Sequence, residues 1–376
     1  MKQILISMIP AAGLAFLLHL ILHEVGHLLG GLFTGWSLIN LQIYHFALIR
    51  DKNKIKFRYL PAKNYQCIMY PKSIDADAIA YTTGGYRMNL FVALIGLLML
   101  LIYIEKPLVW SCAWCFFGIG ILFYLINGLP NTRRICNDKA CYLLLKESSI
   151  TRACHNAQLI IARCLNEGQI YEEIGENLIC LSGKRAENDI LAYQAILEYY
   201  YYLETNHIDR MCEALGKVAG NTAYGKEYTG INDWGELHYS EERIENLVLD
   251  ELNYSKELID IIALEQLYLQ LLLRFKGIVS EPINSDMYGL DISQYIKEHG
   301  VTGDVHTARV RAIYDAYECI RRGNDKEALV LLNKAHVEIE AVKYLYEGEK
   351  IFCIQQLGKI ADCIRASILE IVEKVE

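Results

Sequence analysis

The chain has 376 residues and a formal net charge of −8, with 45 acidic residues against 37 lysines and arginines. An acidic chain without a basic stripe is not typical of nucleic-acid-binding proteins, so we expect no nucleic-acid partner. The length allows two domains, and the composition changes along the chain. The first third is strongly apolar, whereas the sequence after about residue 132 is polar and acidic.

Three apolar runs lie in the first third, at residues 4–22, 88–104 and 108–126. A helix rises about 1.5 Å per residue, so roughly 20 residues cross the ~30 Å hydrocarbon core of a bilayer. We therefore predict three transmembrane helices, the last two joined by the short turn Glu105-Lys106-Pro107.

Residues 36–60, between the first two runs, alternate β-branched or aromatic residues with polar ones around the polar stretch 51–54. This pattern predicts a small β-hairpin insertion. An exposed strand edge could pair with an extended substrate backbone, and a solvated connector is an equally open interpretation.

The first apolar run leads into His23-Glu24-Val25-Gly26-His27, an H-E-x-x-H sequence. Residues four apart lie on one face of a helix, so both imidazoles can bind one Zn²⁺ while Glu24 reaches a water at the open position. Two imidazoles and a carboxylate are costly in a membrane helix unless they have a function. The sequence therefore predicts a zinc centre for peptide hydrolysis within or at the edge of a membrane.

Basic residues set the expected orientation. They concentrate between the first and second runs and after the third: Arg50, Lys52, Lys54, Lys56, Arg58, Lys63, Lys72, Arg87, Arg133, Arg134, Lys139 and Lys146. With three spans, both regions lie on one side, which the positive-inside rule makes the cytoplasm. We expect a multi-pass protein of the cell membrane with a cytoplasmic C-terminal domain, where most of its twelve cysteines would stay reduced.

The remainder of the chain has apolar residues at helical spacing. In residues 312–335 the small and apolar positions match a tetratricopeptide-like helix pair, and residues 192–218 form a looser unit of the same kind. We expect the fold to be mainly α, with a membrane core at residues 1–147 and a soluble, repeat-like helical domain at residues 148–376. The latter could be completed by helices within residues 241–276 and after residue 342.

Two further stretches accompany the H-E-x-x-H sequence. Gly85-Tyr86-Arg87-Met88-Asn89 opens the second run, and Asn127-Gly128-Leu129-Pro130 closes the third, before Asn137-Asp138. In this order the set resembles the site-2 protease family of intramembrane zinc metalloproteases, which have a three-span core. The resemblance covers roughly residues 4–145.

The resemblance implies a role for each matching residue. His23, His27 and Asp138 would be the zinc ligands, and Glu24 the general base. Gly85, Asn89 and Asn127 would bind the substrate, the two asparagines holding its backbone or the developing oxyanion. Tyr86 and Lys139 depart from the family's proline and glycine, which leaves Asp75 and Asp77 as alternative third ligands. We expect His19 to be a hydrogen-bonded or packing residue and not a ligand.

These expectations describe a zinc metalloendopeptidase that cuts a membrane-bound protein or peptide, with the helical domain recruiting substrate or regulating access through a protein partner. One alternative is a membrane-anchored gluzincin-like peptidase, which would need a glutamate ligand on a later helix. Another is a catalytically inactive membrane receptor or scaffold whose tetratricopeptide-like domain binds a protein partner.

Overall fold

A computed structural model describes the chain over residues 2–51, 54–131, 137–181, 183, 186–219, 256–278, 286–287, 290–291 and 304–375. The structure is mainly helical, as expected. It divides into two compact units, Met1–Arg163 and Cys164–Glu376.

The first unit contains three long helices, a β-hairpin and two shorter helices. In chain order these are α1 (Lys2–Phe33), β1 (Ser37–Asp51), β2 (Lys54–Tyr70), α2 (Ile79–Ile102), α3 (Pro107–Gly128), α4 (Asp138–Glu147) and α5 (Ser149–Asn166).

Three helices in the described part of the chain are long and apolar enough to cross a membrane: Met8–Phe33, Ile79–Ile102 and Pro107–Gly128. Their outer surfaces carry large apolar side chains, such as Leu98 and Leu101, which are 55% and 70% exposed. Surface of this kind is unfavourable in water and suits hydrocarbon. The three predicted apolar spans are therefore confirmed as helices, and their surfaces indicate association with a membrane.

The predicted hairpin is also present, as two antiparallel strands. It is longer than expected, because β2 continues to Tyr70, where it pairs with Ser37 at the start of β1. The pairing shifts between Tyr44 and Phe46, and Tyr44 has a positive φ of 61°. This irregularity is a β-bulge, which lets the strands continue past the shift. The expected turn residues 52–53 lie outside the described residues.

The boundary between the compact units falls later than residue 147, inside α5 after Arg163. The buried side chain of Asn156 explains why the start of α5 belongs to the first unit. Its Nδ2 donates to the carbonyls of Ile74 and Ala76, each at 2.8 Å, in the loop before α2. The assignment of functions to the two predicted domains stays a prediction.

The described residues of the second unit form helices of varied length and one short β-pair. In chain order these are α6 (Tyr171–Ile174), α7 (Glu176–Ile179), α8 (Asp189–Glu204), α9 (Ile208–Ala219), α10 (Lys256–Phe275), β3 (Asp286–Met287), β4 (Leu290–Asp291), α11 (Val305–Arg321), α12 (Asp325–Ala341) and α13 (Glu347–Val375). The cysteines described in the two units form no disulfide with one another.

Two helical hairpins lie where the sequence patterns predict them. One is formed by α8 and α9. The other, formed by α11 and α12, turns at Gly323, whose φ is +76°, and it buries Ala316, Ala328, Leu332 and Ala335. The further helices α10 and α13 are also present, whereas residues 241–255 lie outside the described part. That the helices form a tetratricopeptide-like repeat stays a prediction.

A fully buried ion pair joins α10 to α11. The guanidinium Nη2 of Arg309 lies 2.5 and 2.7 Å from the two carboxylate oxygens of Glu265. The Tyr200 hydroxyl donates to the same carboxylate at 2.9 Å, and the guanidinium lies 4.3 Å from the Tyr268 ring centroid. Because the pair is removed from water, each charge depends on the other.

We predict that Arg309→Met lowers the free energy of unfolding of the second unit by about 3–5 kcal/mol, because it removes the guanidinium that bonds to both oxygens of the buried Glu265 carboxylate. Thermal unfolding of the full chain in detergent measures the loss. Arg311→Met is the matched control, since Arg311 pairs with Asp315 at 3.7 Å on the exposed side of α11 and such pairs contribute about 0–1 kcal/mol. Equal effects of the two substitutions would contradict the assignment.

Candidate metal centre

The two histidines of the H-E-x-x-H sequence lie one turn apart on α1, and their Nε2 atoms approach each other. Their Nε2 atoms are 3.3 Å apart, and their ring centroids are 4.9 Å apart. The helix thus converges the two imidazoles on one point, as the spacing predicts.

The carboxylate of Asp138 completes a triangle. Its Oδ2 lies 3.3 Å from His23 Nε2 and 3.3 Å from His27 Nε2. Asp138 is the first residue of α4, and its predicted position beside the histidines is what the structure shows. Asp75 and Asp77 are exposed and lie outside this group, and Asp77 Oδ1 accepts a hydrogen bond from the Ile79 backbone N–H at 2.9 Å.

Asn137 brings Asp138 to the histidines. Its Oδ1 accepts a hydrogen bond from the Ala140 backbone N–H at 3.1 Å and so caps α4. Its Nδ2 donates to the carbonyls of Ile126 and Leu129, at 2.9 and 2.7 Å, at the end of α3. One side chain therefore ties the start of α4 to the end of the third span. The signal in the sequence is an N-cap asparagine directly before the ligand.

The triangle has the dimensions of a metal site. Ligand atoms at 2.0–2.2 Å from a tetrahedral Zn²⁺ are roughly 3.3–3.6 Å from one another, and the three distances here are 3.3 Å. His27 Nδ1 donates to the Tyr81 carbonyl at 2.8 Å, which leaves the Nε2 of a neutral imidazole with a lone pair. The buried Asp138 Oδ2 has no hydrogen-bond partner. Lone pairs of the two Nε2 atoms and of Asp138 Oδ2 that converge on one point fit a bound cation.

Contacts behind the ligands hold the two rings. The Tyr81 carbonyl fixes His27, and the Asn89 amide lies 3.0 Å from His23 Nδ1. Such outer contacts orient metal-binding imidazoles. Tyr81 itself is held by its ring, which stacks on Trp36 at 4.8 Å, and by its hydroxyl, which donates to the Cys67 carbonyl at 2.7 Å. No sequence pattern points to Tyr81, because the atom that contacts His27 is its backbone carbonyl oxygen.

Glycines allow α1 and α2 to approach closely enough for these contacts. A Cβ on Gly26 or Gly84 would collide with the backbone carbonyl of the other residue, and a Cβ on Gly30 would collide with the Ala80 carbonyl. A Cβ on Gly85 would lie 2.5 Å from His27 Nε2 and 2.6 Å from His23 Nε2. The G-x-x-x-G spacing of residues 26 and 30 is a known signal for close helix contact in membranes.

Glu24 follows the first ligand on α1 and is 8% exposed. Its carboxylate accepts a hydrogen bond from the backbone N–H of Cys67 on β2. Burial raises the pKa of the Cys67 thiol to about 12, so this nearby sulfur stays protonated at neutral pH. The Glu24 carboxylate therefore occupies the backbone N–H of Cys67, and the Tyr81 hydroxyl occupies its carbonyl oxygen. A substrate strand cannot pair with β2 at this residue.

The predicted substrate-binding residues have different surroundings. Gly85 faces the two ligand imidazoles, and Asn89 is fully buried between His19 and His23. Asn127 is half-buried, and its Nδ2 donates to the Phe123 carbonyl of its own helix at 3.3 Å. Their contact with a substrate stays a prediction. His19 is hydrogen-bonded, as expected, and does not belong to the metal-ligand group.

Comparisons of the chain with protein-family models, with curated proteins and with solved structures found no match.

We predict that Asp138→Ala reduces zinc binding strongly and that His23→Ala or His27→Ala abolishes stoichiometric zinc, because each removes one of three convergent ligands. Gly85→Ala should also lose zinc, since its methyl group would fill the space beside both Nε2 atoms. Metal analysis of the purified chain measures the content, and Asp75→Ala serves as the control. Full zinc occupancy in Asp138→Ala would contradict this ligand set.

Proposed function

We propose that the protein is an intramembrane zinc metalloprotease that hydrolyses a peptide bond in or near the membrane. The observation that carries this proposal is the triangle of His23, His27 and Asp138 at 3.3 Å spacing, whose two histidines lie on a helix long enough to cross a bilayer. A glutamate beside two such histidines is the arrangement used for metal-assisted peptide hydrolysis.

The motif resemblance to the site-2 protease family supports the same function. Its zinc ligands correspond to the residues of the triangle, and its general base corresponds to Glu24. Tyr86 and Lys139 remain departures from the family's pattern. Neither lies among the three grouped ligands, so the departures leave the proposed metal centre intact.

The chain's residues divide the chemistry among them. His23, His27 and Asp138 would hold the ion. When bound, Zn²⁺ would supply Lewis-acid polarisation to a peptide carbonyl and to a water molecule. The carboxylate of Glu24 would take a proton from the attacking water, whose oxygen bonds to the carbonyl carbon, and would pass the proton to the amine as the C–N bond breaks. The Cys67 N–H orients this carboxylate, and Gly85 keeps the space beside the two imidazoles free.

The setting suggests the substrate and the partners. A site within membrane-spanning helices would act on a membrane-bound protein or peptide, and Asn127 at the end of α3 is proposed to hold its backbone. We place the protein in the cell membrane as a multi-pass protein with its C-terminal unit in the cytoplasm. That unit, proposed to be tetratricopeptide-like, would recruit substrate or a protein partner through its helical hairpins.

We predict that Glu24→Gln keeps stoichiometric zinc and lowers cleavage by ~10²–10⁴-fold or more, because Glu24 is a proton acceptor and not a ligand. The assay reconstitutes the purified chain with single-span membrane peptides that contain helix-breaking residues, and follows their cleavage together with the zinc content.

Glu105→Gln is the matched control for this test, since it makes the same chemical change in the exposed turn between α2 and α3. Cleavage by Glu24→Gln at the rate of the control would overturn the role of Glu24. A wild-type chain that binds zinc and cleaves none of the peptides would instead favour a non-enzymatic receptor.

The proposed orientation gives a separate prediction. The basic hairpin should lie in the cytoplasm, so an epitope inserted after Asp51 should bind antibody only after the cells are permeabilised. The same epitope after Glu105 should bind antibody on intact cells, and it serves as the internal control. The reverse pattern would invert the topology.

A further inference from the structure

Among the completely buried polar side chains of the membrane-spanning helices are two that are neither proposed zinc ligands nor the proposed general base. His19 lies on α1 one turn before His23, and Asn89 lies on α2; both have 0% exposure. Polar groups at such positions are costly in a membrane unless their hydrogen bonds are satisfied. Their partners therefore indicate what they do.

The two side chains form one continuous chain of hydrogen bonds from α3 to the metal ligand. His19 Nε2 lies 3.0 Å from the Phe116 carbonyl oxygen. His19 Nδ1 lies 3.1 Å from Asn89 Oδ1, and Asn89 Nδ2 lies 3.0 Å from His23 Nδ1. This series of hydrogen bonds thus connects all three membrane-spanning helices. It ends on His23 Nδ1, the ring nitrogen that is not the proposed ligand atom.

The direction of the hydrogen bonds follows from the carbonyl at the far end. The Phe116 oxygen only accepts, so His19 Nε2 carries a hydrogen and the Nδ1 of a neutral His19 must accept. The Asn89 NH₂ group then has to face His19, and its carbonyl oxygen faces His23. His23 Nδ1 must therefore donate, which leaves the Nε2 lone pair directed at His27 and Asp138.

The structure has the amide the other way round, with Oδ1 towards His19 and Nδ2 towards His23, and that orientation fits the hydrogen-bond partners less well. An Asn89 oxygen facing His19 would require a hydrogen on both His19 nitrogens, and hence a cation held only by an amide and a carbonyl in an apolar bundle. It would also place a hydrogen on His23 Nε2, where the metal binds. The two amide orientations differ by a half-turn about the Cβ–Cγ bond, and only hydrogen-bond partners distinguish them.

We propose that Asn89 and His19 are positioning residues that hold the His23 imidazole in its ligating tautomer, with the Asn89 carbonyl accepting from His23 Nδ1. This inference rests on the proposed function, because it requires His23 to bind zinc. It gives Asn89 a role in metal binding in place of the substrate contact expected from the motif resemblance.

Gly120 on α3 makes room for His19 in this arrangement. A Cβ at Gly120 would lie 2.5 Å from His19 Cε1 and 2.8 Å from both His19 Nε2 and Ala93 Cβ. A single methyl group there would displace the His19 ring without removing any hydrogen-bonding group. Gly120→Ala therefore tests the position of His19 independently of its chemistry.

The first test measures the zinc affinity of the full-length chain in detergent, by competition with a chelator of known affinity. Asn89→Leu should weaken zinc binding by about 10–100-fold, the usual effect of losing an outer contact to a ligand. Asn89→Asp should keep the affinity within a few-fold of wild type, because a carboxylate also accepts from His23 Nδ1–H. If the wild-type amide instead donates to His23, it opposes the ligating tautomer, so Asn89→Leu and Asn89→Asp should both bind zinc more tightly than the wild type, and the proposal falls.

The second test asks whether His19 acts on zinc binding through Asn89. His19→Leu and Gly120→Ala should each weaken zinc binding, and His19→Leu should have no further effect when combined with Asn89→Leu. Ser111→Ala is the control: Ser111 is a buried polar residue of α3 that bonds to the Pro107 carbonyl of its own helix at 2.7 Å, and zinc binding should not change. Circular dichroism and gel filtration verify folding.

The outcomes separate the two proposals. A wild-type chain that binds no zinc contradicts the proposed function and with it this inference. A wild-type chain that binds zinc as tightly as Asn89→Leu, His19→Leu and Gly120→Ala contradicts the inference alone. If Asn89→Leu does not fold, the affinities of Asn89→Asp and Gly120→Ala still decide.

Discussion

The contact between the backbones of α1 and α2 is the constraint on which the candidate site depends. Gly26 and Gly84 face each other at a distance that no side chain permits. This contact brings the Tyr81 carbonyl to one ligand imidazole and places Gly85 beside both of them. Two histidines on a single helix are only half of a metal site, and the close approach of the second helix supplies the contacts that orient them.

The two units satisfy buried polar groups in different ways. In the first unit His19 and Asn89 bond to each other and to a backbone carbonyl, and the three ligand atoms converge where a cation would compensate them. In the second unit Arg309 and Glu265 compensate each other directly. Both units thereby avoid an unpaired buried charge. The first unit does so by leaving a position for an ion, and this ion can take part in chemistry.

Local patterns explain what the sequence predicts well. The three spans, the hairpin and the histidine pair depend on residues that are close in the chain. Asp138 is predicted from the order of the three motifs along the chain. The length of β2, the link from Asn156 to the loop before α2 and the contact of Glu24 with Cys67 depend on tertiary packing. The role of Tyr81 was invisible for another reason, since any residue has the carbonyl that it uses.

X-ray absorption spectroscopy of the purified full-length chain measures whether His23, His27 and Asp138 together hold a zinc ion. We expect a four-coordinate Zn²⁺ with two imidazole nitrogens at about 2.0–2.1 Å, the remaining ligands being oxygen, and no sulfur. A sulfur ligand at about 2.3 Å, which would indicate a cysteine, or a spectrum with one imidazole or none, would contradict it.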